Sequence, residues 1–164
     1  MDDLIVSGLR IDWSMLADSY ASRIPSLRSL DELGFHKNVT FLVGENGSGK
    51  STLLEAIAVV CGFNAEGGTR NYRFSTYDDT SDLAEAMTVY RQRAIGPSSF
   101  FLRAESFFTL ATQAREYGRG YDNMSRLHEM SHGEGFLEIL LSRTGRGLYL
   151  MDEPESALSP QDRK

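Results

Sequence analysis

Residues 44–52 read GENGSGKST and fit the pattern G-x-x-x-x-G-K-[ST] at every fixed position. Glycines let the main chain turn tightly, so that successive N–H groups point inward at phosphate oxygens. We expect Lys50 to reach the β- and γ-phosphates of a nucleotide and the Ser51 hydroxyl to ligate Mg²⁺. The alternative is a glycine-rich turn that carries an exposed lysine. The predicted phosphate-binding residues are Gly44, Glu45, Asn46, Gly47, Ser48, Gly49, Lys50, Ser51 and Thr52.

Two adjacent carboxylates follow an apolar run about a hundred residues downstream, where residues 147–153 read GLYLMDE. We expect Asp152 to hold Mg²⁺ opposite Ser51, directly or through water. Glu153 points to the other side of the strand axis, where it would orient or deprotonate an attacking water. The alternative is an acidic turn, because Asp-Glu-Pro often ends a strand.

Simple secondary-structure patterns explain how these two segments would meet. The apolar run 39–43 predicts a strand before the glycine loop, and the amphipathic stretch 53–60 predicts a helix after it. The run 147–150 predicts a strand buried on both faces of a parallel sheet. Because open α/β sheets bind ligands at the carboxyl ends of their strands, both halves of the site should lie at one edge.

A third segment, residues 127–137, reads LHEMSHGEGFL and supports two interpretations. Ser131 and Glu134 form an S-x-x-E capping box before an apolar run, which predicts the start of a helix. A capped helix N-terminus is also a good site for an anion, so the same residues are candidates for nucleotide contact.

These blocks together resemble an ATPase of the ATP-binding cassette type. The similarity is greatest to stand-alone bacterial AAA-type ATPases related to the RecF and SMC proteins, and it rests on GENGSGKSTLLEAIA, FFLRAESFF, LHEMSHGEGFL and GLYLMDEPESALSP. The signature of such proteins has Ser-Gly-Gly-Gln at its core; Ser131, Gly133 and Glu134 match it or a close variant, and His132 replaces the first glycine.

The resemblance implies a P-loop NTPase fold of the ABC type, an α/β fold with a mostly parallel core sheet flanked by helices and with N-terminal antiparallel strands. It implies Mg²⁺-dependent ATP hydrolysis in a head-to-tail homodimer, where Ser131 and Gly133 of one subunit touch the γ-phosphate bound by the other. Residues 156–160 match the dimer-contact loop. The catalytic residues would be Lys50 and Glu153, and the cofactors ATP and Mg²⁺.

We expect one domain over residues 1–164. Its parts are N-terminal strands (1–38), the Walker A unit (39–61), an insert with the signature helix (62–146) and the Walker B strand with the dimer-contact loop (147–164). Residues 159–164 begin a helix that is too short to be stable, and the family would continue with another core strand and a histidine. We therefore expect a C-terminally incomplete domain with an exposed apolar edge.

Composition excludes several classes of protein. The chain has 41% hydrophobic and 24% charged residues, a single cysteine and a net charge of −6. One cysteine forms no internal disulfide, and a buried, inert Cys61 is expected. An acidic N-terminus and the lack of a long apolar run predict a cytoplasmic protein without a membrane span. The charge provides no general attraction to nucleic acid, so a DNA or protein partner would need a local surface.

The remaining segments are less informative. Residues 4–11 and 25–33 are expected to form N-terminal strands, residues 99–102 a short strand, and residues 64–80 a long loop. Residues 83–93 fit either a helix or a strand. Tyr20 is a candidate to stack on adenine or to fill a surface groove. Glu105 stands near the position of the family's metal-sensing glutamine, or is an ordinary helix-start glutamate.

Two classes of function follow. The first is an Mg²⁺-dependent ATPase whose dimerisation acts on a partner. The second is a nucleotide-binding module that does not turn over. A transporter subunit and a kinase are weaker alternatives, because no membrane-coupling surface is recognisable and the acidic pair suits attack by water.

Overall fold

The structure, a computed structural model, describes residues 4–70, 82–104 and 145–157. An antiparallel sheet contains strands β1 (Val6–Ile11), β2 (Glu32–Gly34) and β3 (Met87–Arg91), in the order β2-β1-β3. The central strand β1 alternates imperfectly between buried and exposed residues, and Leu9 is fully buried. This sheet confirms a strand at residues 4–11 and antiparallel pairing near the N-terminus.

A parallel pair of strands forms the second sheet, with β4 (Phe100–Arg103) beside β5 (Tyr149–Asp152). Their register places Phe100 opposite Tyr149 and Arg103 opposite Asp152. Both strands therefore end at the same level, which puts the last side chains of each next to one another. Strand β5 was expected to be buried on both faces, and this expectation is wrong, because Met151 is 40% exposed.

The helices are α1 (Pro25–Arg28), α2 (Lys50–Val60) and α3 (Asp82–Glu85). Helix α2 contacts β3 of the first sheet and β5 of the second, so it packs against both sheets. Its buried residues Leu53, Ala56 and Ile57 follow the i, i+3, i+4 spacing that was expected to form one apolar face. Three short 3₁₀ segments complete the described elements: Trp13–Met15, Tyr20–Arg23 and Pro154–Ala157.

Cys61 follows α2 and is 1% exposed. Burial raises the pKa of its thiol to about 11, against an opposing effect of the Arg91 and Arg70 charges. The expectation of a buried, unreactive thiol is consistent with this environment, because the thiolate is the reactive form.

Two expectations about local structure need correction, and one open alternative is resolved. Residues 25–28 form helix α1, since Pro25 occupies a first helical turn where its missing N–H costs nothing. Residues 83–93 contain both a helix and a strand, because α3 ends at Glu85 and β3 begins at Met87. Residues 39–43 form no strand, and Val39, Phe41 and Val43 are 68%, 82% and 91% exposed. A strand requires a hydrogen-bonding neighbour, and neither sheet of the described residues supplies one here.

Candidate phosphate-binding site

The glycine loop rests on the N-terminal helix α1. Gly49 has a φ of +85° and immediately precedes α2, and a Cβ atom there would lie 2.7 Å from Cδ1 of Leu27. The Ser26 hydroxyl donates a 2.7 Å hydrogen bond to the Ser48 carbonyl. Residues upstream of the loop therefore fix its conformation, and only glycine fits at position 49.

This packing predicts a difference between two glycines of the same loop. Gly47 also has a positive φ, +79°, but a Cβ there would meet nothing within 4 Å. Gly47→Ala should cost about 1 kcal/mol of unfolding free energy through backbone strain alone. Gly49→Ala should cost about 2–4 kcal/mol, because Leu27 is buried and cannot move away freely. Urea unfolding measures both, and equal losses would show that the contact with α1 does not constrain the loop.

Lys50 lies across the loop that precedes it. Its Nζ donates hydrogen bonds of 2.8 Å to the carbonyl oxygens of Gly44 and Glu45. The ammonium group is thereby held at the centre of the loop, where phosphate oxygens would replace or join the two carbonyls as acceptors. The loop N–H groups and the N-terminal end of α2 add partial positive charge at the same place.

The Ser51 hydroxyl donates a 2.9 Å hydrogen bond to Oδ1 of Asp152. This contact joins residues that are 101 positions apart in the chain, and it brings the glycine loop and the acidic pair to one site. A hydroxyl and a carboxylate are hard oxygen ligands of the kind that Mg²⁺ accepts, together with waters and phosphate oxygens. Within residues 4–70, 82–104 and 145–157, this site included, no three His, Cys, Asp or Glu side chains form a metal-binding group. The protein ligands here would be the Ser51 hydroxyl and the Asp152 carboxylate, and a nucleotide and water would supply the others. The residues present therefore fit a magnesium ion that is shared with a nucleotide.

Glu153 adopts an unusual backbone conformation, with a φ of +47°. A non-glycine residue in this region is strained by about 1 kcal/mol, and such strain is often found at functional sites. The N–H and the hydroxyl of Ser156 both donate 2.9 Å hydrogen bonds to the Glu153 carbonyl oxygen, which holds the turn in place. Glu153 is exposed and directly follows Asp152 in the chain.

Arg103 is a member of the site that the sequence did not indicate as functional. Its Nη1 atom donates a 2.7 Å hydrogen bond to Oε2 of Glu55 and a 3.1 Å hydrogen bond to the Ala65 carbonyl. Its Nε lies 3.7 Å from Oδ2 of Asp152. No sequence signal identifies it, because Arg103 and Asp152 meet only through the parallel register that pairs them at the ends of β4 and β5.

The other expected site residues are placed as follows. Glu45, Asn46 and Gly47 are exposed along the loop, and Thr52 is half-buried in the first turn of α2. Tyr20 is 68% exposed, in the 3₁₀ segment just before α1. The described residues do not include Glu105, Ser131, Gly133, Glu134 or residues 158–160 of the dimer-contact loop.

Residues 23–110 match the family described as AAA domain. The match covers more than half of the chain, so the chain belongs to that family. The family fold is the P-loop NTPase α/β fold, and the two sheets of this structure combine antiparallel and parallel strands. The expected AAA ATPase family is confirmed at this level.

A curated relative from Caenorhabditis elegans, "Chromosome condensation protein dpy-27", is 34% identical to the chain over 76 residues. The aligned part is 46% of this chain and 5% of the relative, so the chain spans only a small piece of that protein. No solved structure matches the chain. In the described part of the chain, every helix is too short or too polar to cross a bilayer.

Proposed function

We propose that the chain is an ABC-type ATPase that binds ATP with Mg²⁺ and hydrolyses it, and that nucleotide binding drives dimerisation. The observation that carries this proposal is the 2.9 Å contact between Ser51 and Asp152, which joins the phosphate loop to the acidic strand end. Membership of the AAA domain family supports nucleotide binding and ATPase activity. The likeness to a chromosome condensation protein supports the SMC-related part of the proposal.

Each of the described site residues would have its own role in the reaction. The loop N–H groups and Lys50 bind the β- and γ-phosphates and stabilise negative charge on the leaving group. Ser51 and Asp152 would hold Mg²⁺, which neutralises phosphate charge when it is bound. Glu153 accepts a proton from the water that attacks the γ-phosphate, and its exposed carboxylate is free to meet that water. The products are ADP and inorganic phosphate.

The proposed dimer completes the site with residues of a second subunit. Ser131, Gly133 and Glu134 would contact the γ-phosphate in trans, and the loop at 156–160 would lie at the same interface. We also propose a cytoplasmic location, with a protein or DNA partner that is moved by the dimer. The net charge of −6 makes a broad electrostatic contact with DNA unfavourable, so such a contact would need a local surface.

A second candidate is a nucleotide-binding module without turnover. It is favoured by the exposure of Val39, Phe41 and Val43, because the segment that leads into the phosphate loop has no sheet support from the described residues. A loop that packs on α1 but has no strand leading into it would bind phosphate but hold it less well aligned for attack by water.

Ser131→Ala tests the dimer. If Ser131 is only a helix cap, the change should cost about 1 kcal/mol of stability and leave ATP-dependent assembly unchanged. If it touches the γ-phosphate in trans, the change should also weaken dimerisation with ATP by about tenfold, through loss of a hydrogen bond to a charged group. Analytical ultracentrifugation with and without ATP separates the two results. Ser14→Ala, which removes an exposed hydroxyl bonded to Asp12 away from the glycine loop, is the matched control.

A further inference from the structure

Arg103 lies between two carboxylates that come from different elements. One is Glu55 on α2, at 2.7 Å, and the other is Asp152 at the end of β5, at 3.7 Å. The side chains are largely withdrawn from solvent, with 23% of Arg103, 14% of Glu55 and 12% of Asp152 exposed. Charges in a largely buried position interact more strongly than charges on the surface, because water screens them less.

Both carboxylate oxygens of Asp152 face a partner in the site. Oδ1 accepts the Ser51 hydroxyl, and Oδ2 faces the Arg103 guanidinium. A divalent cation that binds Asp152 must therefore approach a carboxylate that already has a positively charged neighbour. The arginine and the metal ion compete for the same negative charge.

The two contacts of Arg103 differ in strength. Its Nη1 donates hydrogen bonds of 2.7 Å to Glu55 and 3.1 Å to the Ala65 carbonyl, whereas its Nε lies 3.7 Å from Asp152, an ion-pair distance longer than a hydrogen bond. Glu55 lies four residues after Ser51 on α2, and residues at this spacing share one face of a helix. Arg103 can therefore remain anchored to Glu55 when the Asp152 carboxylate turns to another cation.

We propose that Arg103 is a positioning residue that forms an ion pair with Asp152 and thereby sets the metal affinity of the site. Glu55 accepts a hydrogen bond from Arg103 and keeps the guanidinium from moving closer to Asp152. This inference rests on the proposed function, because it requires that Asp152 binds the metal ion of a nucleotide complex. Arg103 prevents Asp152 from being an unpaired carboxylate before nucleotide binds, and it weakens metal binding by remaining close.

Equilibrium binding of Mn²⁺, a spectroscopic substitute for Mg²⁺, tests the proposal in the presence of a slowly hydrolysed ATP analogue. Arg103→Gln removes the competing charge and should tighten Mn²⁺ binding about three- to tenfold. Glu55→Gln releases Arg103 toward Asp152 and should weaken Mn²⁺ binding about threefold or more. Electron paramagnetic resonance of free Mn²⁺ gives the dissociation constants without any need for turnover.

The double variant distinguishes this mechanism from a general charge effect. If Glu55 acts through Arg103, then Arg103→Gln with Glu55→Gln should bind Mn²⁺ as Arg103→Gln alone does. A persistent weakening by Glu55→Gln in that background would overturn the proposal, because loss of a nearby negative charge would then explain it. Arg10→Gln removes a matched charge from β1 of the other sheet and should change the dissociation constant less than twofold.

The remaining outcomes are also decisive. If Arg103→Gln does not fold by circular dichroism, Glu55→Gln alone decides, and an unchanged Mn²⁺ affinity would overturn the proposal. A different result separates the two proposals. If wild type binds Mn²⁺ with the analogue, Asp152→Asn does not, and Arg103→Gln binds it as wild type does, the arginine proposal fails and the proposed function stands. If wild type shows no nucleotide-dependent Mn²⁺ binding, both fail.

Discussion

Lys50→Ala should lower the affinity for ATP about a hundredfold or more, since it removes charge-assisted hydrogen bonds to phosphate that are worth about 1.5–3 kcal/mol each. Among the described residues, the Lys50 ammonium group donates hydrogen bonds to the carbonyls of Gly44 and Glu45, and both of these residues are exposed enough to bond to water instead. The substitution should therefore leave stability almost unchanged. Isothermal titration calorimetry with ATP measures the loss.

The matched control for Lys50→Ala is Lys37→Ala, which removes the same charge from an exposed position before the loop. It should bind ATP as wild type does. Undiminished ATP affinity in Lys50→Ala would contradict the assignment of residues 44–52 as a phosphate site, and with it every role proposed for Ser51 and Asp152.

Glu153→Gln should reduce steady-state ATP hydrolysis by about a hundredfold or more while ATP binding is retained, because general-base catalysis contributes about 10²–10⁴ in rate. Glutamine has the same shape, and the Glu153 carbonyl keeps both hydrogen bonds from Ser156. Release of inorganic phosphate and retention of labelled ATP after gel filtration measure the two effects separately.

Glu155→Gln is the matched control, since it changes an exposed carboxylate two residues further on. Hydrolysis by Glu153→Gln at the wild-type rate would exclude Glu153 as the base. ATP binding by wild type without any phosphate release would instead favour the second candidate, the nucleotide-binding module without turnover.

Local interactions explain why the meeting of the glycine loop with the acidic strand end was predictable from the sequence. The conformation of residues 44–52 depends on glycine φ angles and on the helix that follows, and both are local properties. The meeting of Ser51 with Asp152 required only that both segments reach one edge of an α/β fold. The family match agrees with this reasoning at the level of the AAA domain.

The predictions that were wrong or missing depend on tertiary contacts. Apolar alternation at residues 39–43 does not supply the neighbouring strand that hydrogen bonding requires. Pro25 fits a first helical turn as well as an extended segment, and packing of Leu27 against Gly49 selects the helix. Arg103 gains its role only from the register of β4 against β5, which no local pattern specifies.

The exposed run that leads into the glycine loop also has a kinetic consequence. Main-chain amides of residues 39–43 make no hydrogen bond to other described parts of the chain, whereas β1 is bonded on both sides. In heavy water, deuterium should therefore enter this run at nearly the rate of a free peptide, and enter β1 far more slowly. The proposed phosphate-binding lysine, Lys50, thus lies shortly after an unprotected stretch of backbone, and a ligand that orders this stretch would be detectable by mass spectrometry alone.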